Sequence, residues 1–366
     1  MIKSHPMPIP ICLLQSFLVT SLLVTTSLSH ANPVVTHNHV EAWVDEYVIP
    51  SYVALHQANQ ALQGQAHKLC DQGSLQALNE MQPYLNRALQ ALAYSQAIDG
   101  GPVQEQLRNF HLYYWPDRTN LVTKHLTQLL DQPSSLGRHQ YDLSQSSIAI
   151  TGYPALERLL YVPRYRTLVM QGKQGHACRY MVALSDNLVR LTTEITDAWQ
   201  VSWRQQLVGP AQKGSIFKDQ NDKNQFVFTH IDTLLTRIIS QKLAKALTSR
   251  VGSAKPKRLE SWRSSQTLIM LKANAKGLTD SLSLTLKPAL IDANEATKWD
   301  TIRLKLSFID QLIEQLPAPL MAYLNEPKYW LATQELRNQF IQLQESLREI
   351  YPSLDVQLGF NAYDGD

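Results

Sequence analysis

Ser146-Ser-Ile-Ala-Ile-Thr-Gly-Tyr-Pro-Ala-Leu-Glu-Arg-Leu-Leu-Tyr161 sets one carboxylate, Glu157, in an apolar run at helical spacing that is interrupted by Gly152 and Pro154. Proline has no N–H, and its ring clashes with the carbonyl four residues back. Pro154 therefore either kinks a continuing helix, leaving the Ile150 carbonyl without its partner, or opens a new one. In the first case Glu157 shares a face with Pro154 among Leu156, Leu159 and Leu160 and needs a partner, a proton or a metal. In the second it complements the dipole of a helix start.

Both readings are helical, and the rest of the chain agrees. Apolar residues recur at helical spacing through Val44, Val48, Leu55, Leu62 and Leu69, through Leu75, Leu78, Leu85, Leu89 and Leu92, and through Tyr180, Leu184, Leu188, Leu191, Ile195 and Trp199. The second half repeats the pattern through Phe228, Ile231, Leu235 and Ile238, from Trp262 to Leu278, then through Trp299, Leu306 and Ile313 and through Trp330, Leu336, Phe340 and Leu347. Glycine is sparse and no alternating segment precedes a hairpin signal. The expected class is all-α, with eight or nine helices in two four-helix-bundle-like domains, 32–208 and 226–366. A polar connection with little to bury, 209–225, joins them.

Residues 1–31 read as a secretory leader. Lys3 supplies the positive start, an apolar run follows, and Ser29-His30-Ala31 offers small residues for cleavage near Ala31. An exported, periplasmic product follows, and no later run is long enough to span a membrane. In an oxidising compartment the two cysteines left after cleavage, Cys70 and Cys178, are expected to pair. The formal net charge is only +3, with no dense basic patch along the chain, which argues against a nucleic-acid partner.

Three segments carry chemistry besides Glu157. Arg108 begins an aromatic stretch that runs to Tyr114-Trp115-Pro116-Asp117, where Asp117 is also suited to cap the next helix. Glu260-Ser261-Trp262-Arg263-Ser264 sets a guanidinium and hydroxyls beside an aromatic, and Arg263 is able to make a forked contact with Glu157 or with a ligand carboxylate. The terminus gathers Asp364, Asp366 and the chain-end carboxylate. There is no His-Glu-x-x-His helix, phosphate-cradling glycine loop, Cys-x-x-Cys or Gly-x-Ser-x-Gly elbow, and all eleven histidines lie at or before His230. Protein ligands for a metal are therefore not expected.

In order along the chain, Gly101-Pro102, Arg108, Tyr114-Trp115-Pro116-Asp117, Ser147, Gly152 to Glu157 with Leu159-Leu160, Glu260 to Ser264, Asn274, Gly277-Leu278 and the closing Gly359-Phe360-Asn361-Ala362 with Asp364-Gly365-Asp366 resemble the imelysin family. That family comprises periplasmic or surface proteins called insulin-cleaving peptidases and linked to iron uptake. The resemblance implies two bundles related by pseudo-symmetry with a pocket between them. It also implies a ligand set of Arg108, Trp115, Asp117, Ser147, Tyr153, Glu157, Trp262, Arg263, Ser264 and Asp364. The family signature is Gly-x-His-x-x-Glu, and here Pro154 stands where the histidine belongs. The expectation is a binding component without catalysis, holding a small polar ligand, a peptide end or an iron or haem species and working with a membrane or periplasmic uptake partner. No resident cofactor is expected. A metallopeptidase using Glu157 and a helical scaffold for a membrane or redox partner are the alternatives.

Overall fold

The computed structural model describes Met1 and residues 34–131, 143, 146–210 and 214–359. The expected leader and cleavage point near Ala31, and the carboxylate of Asp364, lie outside the described residues. Every regular element among those described is a helix, and none of these helices is long and apolar enough to cross a membrane.

α1 (His37–Trp43) runs through a π turn (Val44–Val48) into α2 (Ile49–Gln72), and α3 (Leu75–Ser95) folds back along α2. Ser74 starts α3 by accepting the Ala77 N–H at 3.2 Å, satisfying a donor that has no partner inside the helix. The short helices α4 (Arg108–Leu112), α5 (Leu121–Asp131), α6 (Tyr153–Tyr161) and α7 (Pro163–Val169) lead to α8 (His176–Ala198), which packs on α2. A π turn (Trp199–Trp203) and α9 (Arg204–Val208) close the first half. The second half holds α10 (Gln220–Arg237), a π turn (Ile238–Leu243), α11 (Ala244–Leu247), α12 (Thr267–Leu284), α13 (Leu286–Asp292), α14 (Ala296–Gln315), α15 (Leu320–Tyr323) and α16 (Pro327–Ile350).

Long helices pack in series: α8 on α2, α2 on α3, α3 on α12, α12 on α14 and α14 on α16. The described residues from Val34 onward belong to one compact unit. Where the halves meet, at α3 and α12, the backbones come close because Gly277 has no side chain; a Cβ there would stand 2.4 Å from the Tyr94 carbonyl oxygen. Hydrogen bonds join α12 to α3 and α1 around this contact, as buried polar groups require. Asn274 Nδ2 donates to the Ala93 carbonyl at 2.6 Å, Trp43 Nε1 to Ser281 Oγ at 2.6 Å, and Tyr94 OH to Asp280 at 2.6 Å.

The described residues of the 209–225 stretch, 209–210 and 214–225, are more regular than the composition suggests. α10 already begins at Gln220, capped by Asp219, which accepts the Asp222 N–H at 3.0 Å. Phe217 is buried against Trp203 and Phe226, and Lys223 donates to the Gly209 carbonyl at 2.8 Å. Likewise the helix expected from Trp262 starts only at Thr267, because Ser261 and Ser265 take left-handed φ values of 46° and 62° and make residues 261–265 a turn. Cys70, in the last turn of α2, and Cys178, in the first turn of α8, form a disulfide with Cα atoms 5.5 Å apart.

Candidate functional site

Of the two conformations the opening stretch allows, the helix start is the one adopted. A 3-10 turn (Ile148–Ile150) ends before Gly152, and α6 begins at Tyr153 with Pro154 in its first turn. The missing proline N–H is therefore one that would have had no intrahelical partner. Gly152 is required by proximity, since a Cβ there would stand 2.1 Å from the Leu112 carbonyl oxygen and 2.3 Å from that of His111. This docking presses α6 into the molecule so fully that every residue from Tyr153 to Leu160 is buried.

Buried in α6, Glu157 meets the 261–265 turn of the second half. Its Oε1 accepts the Ser264 N–H at 3.0 Å and the Ser264 hydroxyl at 2.6 Å. Burial pushes the Glu157 carboxyl above its ordinary value of 4.5, and the two Ser264 donors, Arg263 and Arg158 pull it back. Arg108, expected in the ligand set, lies elsewhere, bound to Glu194, Glu105 and the Pro102 carbonyl. Arg263 reaches Glu157 only through its field and lies over the Trp262 ring, 4.3 Å from the centroid.

Ser264→Ala removes the shorter of two bonds to a buried carboxylate and is expected to cost about 1.5–3 kcal/mol once Glu157 is ionised. Because the folded pKa is raised, stability from this group is complete below 4.5 and is lost as pH rises through the folded value. Without the hydroxyl the folded pKa rises further. The deficit of the variant is therefore smallest in acid and grows with pH, which urea unfolding at a series of pH values reads directly.

The neighbouring Arg158 was passed over in the sequence because interest fell on the carboxylate; the signal was a second charge in the same apolar run. It donates to Asp117 Oδ2 at 3.1 Å, to Thr123 Oγ1 at 2.9 Å and to the Pro154 carbonyl at 2.9 Å. Burial draws its guanidinium down to about 10. Asp117 caps α5 as expected, accepting the Leu121 N–H at 2.7 Å and the Val122 N–H at 3.2 Å.

Above Glu157 and Arg158 opens a cavity of about 450 Å³. Residues 113–118, Pro154, Glu157 and Arg158 bound it from the first half, with Gln241, Lys245, residues 257–259 and residues 261–263 from the second. The structure therefore brings together Trp115, Asp117, Glu157, Trp262 and Arg263, with Ser264 behind Glu157. It does not bring Arg108, Ser147 or Tyr153 to the cavity. Ser147 caps the 3-10 turn and meets His125 at 2.9 Å, while the Tyr153 hydroxyl donates to Asn59 at 2.6 Å inside the core. Sequence reasoning missed Arg118, Arg158, Lys245, Lys257 and Arg258 as lining residues. Lys257 and Arg258 directly precede the Trp262 segment, but only the folded turn reveals which way they face.

The contact between Gly152 to Glu157 and Ser261 to Ser264, more than 100 residues apart, unites the two most distinctive blocks of the sequence in one wall. The imelysin family model matches residues 48–351. The chain belongs to the imelysin family. An imelysin-like protein from Psychrobacter arcticum has the same fold at 20% identity, with a TM-score of 0.75 over 90% of this chain and 100% of that one. A protein described as an iron-regulated protein A precursor, from Parabacteroides distasonis, superposes with a TM-score of 0.68 at 14% identity over 88% and 96% of the two chains. No curated protein matches the sequence.

The imelysin signature implies a metal held by its histidine and glutamate, and the donor set here does not fit one. Pro154 carries no ligand atom, Glu157 Oε1 is committed to two Ser264 donors, and Arg158 and Arg263 put positive charge beside it. Among the described residues no group of three His, Cys, Asp or Glu side chains could hold an ion.

Proposed function

We propose that this imelysin-family chain is an exported binding component of iron or haem uptake. It would hold a small polar ligand, or an iron species carried by one, in the cavity above Glu157 and pass it to a membrane or periplasmic partner without cleaving peptides. The observation that carries this reading is the cavity itself: a partly aromatic recess with a few convergent polar groups, drawn from both halves of the sequence. The leader-like start supports export, and the iron-regulated relative supports the link to iron. The two Ser264 donors on Glu157 Oε1 favour a fixed, shape-giving carboxylate over one free to activate water.

Calorimetric titration of the mature protein with haem, ferric citrate and ferrous iron tests the reading. One-to-one binding of at least one species, weakened by Trp262→Ala while the fold is retained, is the expected result. Chelator-sensitive peptide cleavage that disappears in Glu157→Gln would overturn it in favour of a peptidase.

A further inference from the structure

Resting on the reading of the cavity as a binding site, we infer that its occupant is an anion, a small organic molecule carrying two or more carboxylates. Among the described residues six cations line the cavity, Arg118, Arg158, Lys245, Lys257, Arg258 and Arg263, against two carboxylates, Asp117 and Glu157. The whole chain has a formal net charge of only +3, so positive charge is concentrated here and offset elsewhere.

Both carboxylates are already engaged in part. Asp117 is answered by Arg158 and by two helix-start amides, and Glu157 accepts both Ser264 donors on Oε1. The cations differ in this respect. Among the described residues Lys245, Lys257, Arg258 and Arg263 make no salt bridge, and the polar heads of Lys257 and Arg263 are held instead near the Trp262 ring, 5.8 and 4.3 Å from its centroid. Some surface lysines elsewhere are paired, Lys68 with Glu80 at 2.8 Å, Lys272 with Glu314 at 2.5 Å and Lys276 with Asp280 at 2.7 Å. Four unpaired cations around one recess repel each other and focus a field that draws in negative charge.

The shape of the charge narrows the class. Guanidinium forks match the two oxygens of a carboxylate. Trp115 and Trp262 add apolar wall, which suits an acid with a carbon body over a bare inorganic ion. A ferric ion wrapped in a polycarboxylate chelate remains an anion and would enter on the same terms, whereas an uncomplexed metal cation would be repelled.

Calorimetry on the mature protein at low and high salt tests the inference, with citrate, ferric citrate, inorganic phosphate, uncharged sorbitol and zinc ion alone as probes. Citrate or its ferric complex is expected to bind. Lys257→Gln/Arg258→Gln should weaken that binding about tenfold at low salt, and the difference should shrink at high salt as the charges are screened. These side chains are exposed, so thermal unfolding is expected to be unchanged, and an unchanged affinity in the folded variant overturns the inference. Phosphate binding as tightly as citrate overturns the carboxylate assignment. Sorbitol or zinc binding that is lost in Trp262→Ala, with citrate silent, overturns the anion inference and leaves the cavity as a binding site. Silence of all five probes, together with haem and ferrous iron, overturns both.

Discussion

Lys242→Ala is expected to cost about 3–5 kcal/mol, because it strands a buried carboxylate without its counter-charge. Lys242 and Glu260 are each 1% exposed, with Nζ 2.7 Å from Oε2. The ammonium also donates to Gln96 Oε1 at 3.0 Å and Asn274 Oδ1 at 2.7 Å, tying the π turn after α10 to the 3-10 turn that follows α3 and to α12. Burial draws Lys242 down to about 8, and the Glu260 charge opposes that. Glu260 leads into the turn that carries Trp262, Arg263 and Ser264, and its carbonyl accepts the Thr267 hydroxyl at 2.6 Å. Urea unfolding of Lys242→Ala should show the full loss. Lys242→Met with Glu260→Gln should recover most of it, because no isolated charge is left behind. Equal losses in the single and double variants would mean that packing, not charge, accounts for the effect.

Loss of the Cys70–Cys178 bond should be comparably large. It closes a loop of 108 residues, and restricting the unfolded chain over such a length is worth about 4–5 kcal/mol in the loop-entropy account. Cys70→Ser/Cys178→Ser should unfold at lower denaturant by that amount. Reductant should bring the parent protein toward the variant and leave the variant where it is. The disulfide joins the end of α2 to the start of α8, so the free thiols should also loosen the packing of those two helices in hydrogen exchange.

The helices were legible because their apolar faces repeat at 3.6 residues, and that periodicity survives any tertiary arrangement. Cys70 and Cys178 were legible by count once export was inferred. Asp117 as a cap was legible because capping is local, decided within a few residues. Arg108 was misplaced for the opposite reason: a guanidinium takes whichever carboxylates the fold brings to it, here Glu105 and Glu194. Tyr153 was misplaced because an aromatic at a helix start looks the same in sequence whether it faces a cavity or, as here, Asn59 in the core. Lys245, with Lys257 and Arg258, reads as ordinary solvated charge until the turn at residues 261–265 and the π turn before α11 set all three around one opening.

By itself the sequence determined the all-helical class, the imelysin relationship and the substitution of Pro154 for the signature histidine, because each depends on local pattern or on residue identity. Only the tertiary structure decided that Pro154 starts a helix, that Ser264 holds Glu157, and that cations without a salt bridge among the described residues gather above them. Those outcomes depend on which distant segments come within a few ångströms, and that is set by close approaches such as Gly152 against Leu112 and Gly277 against Tyr94.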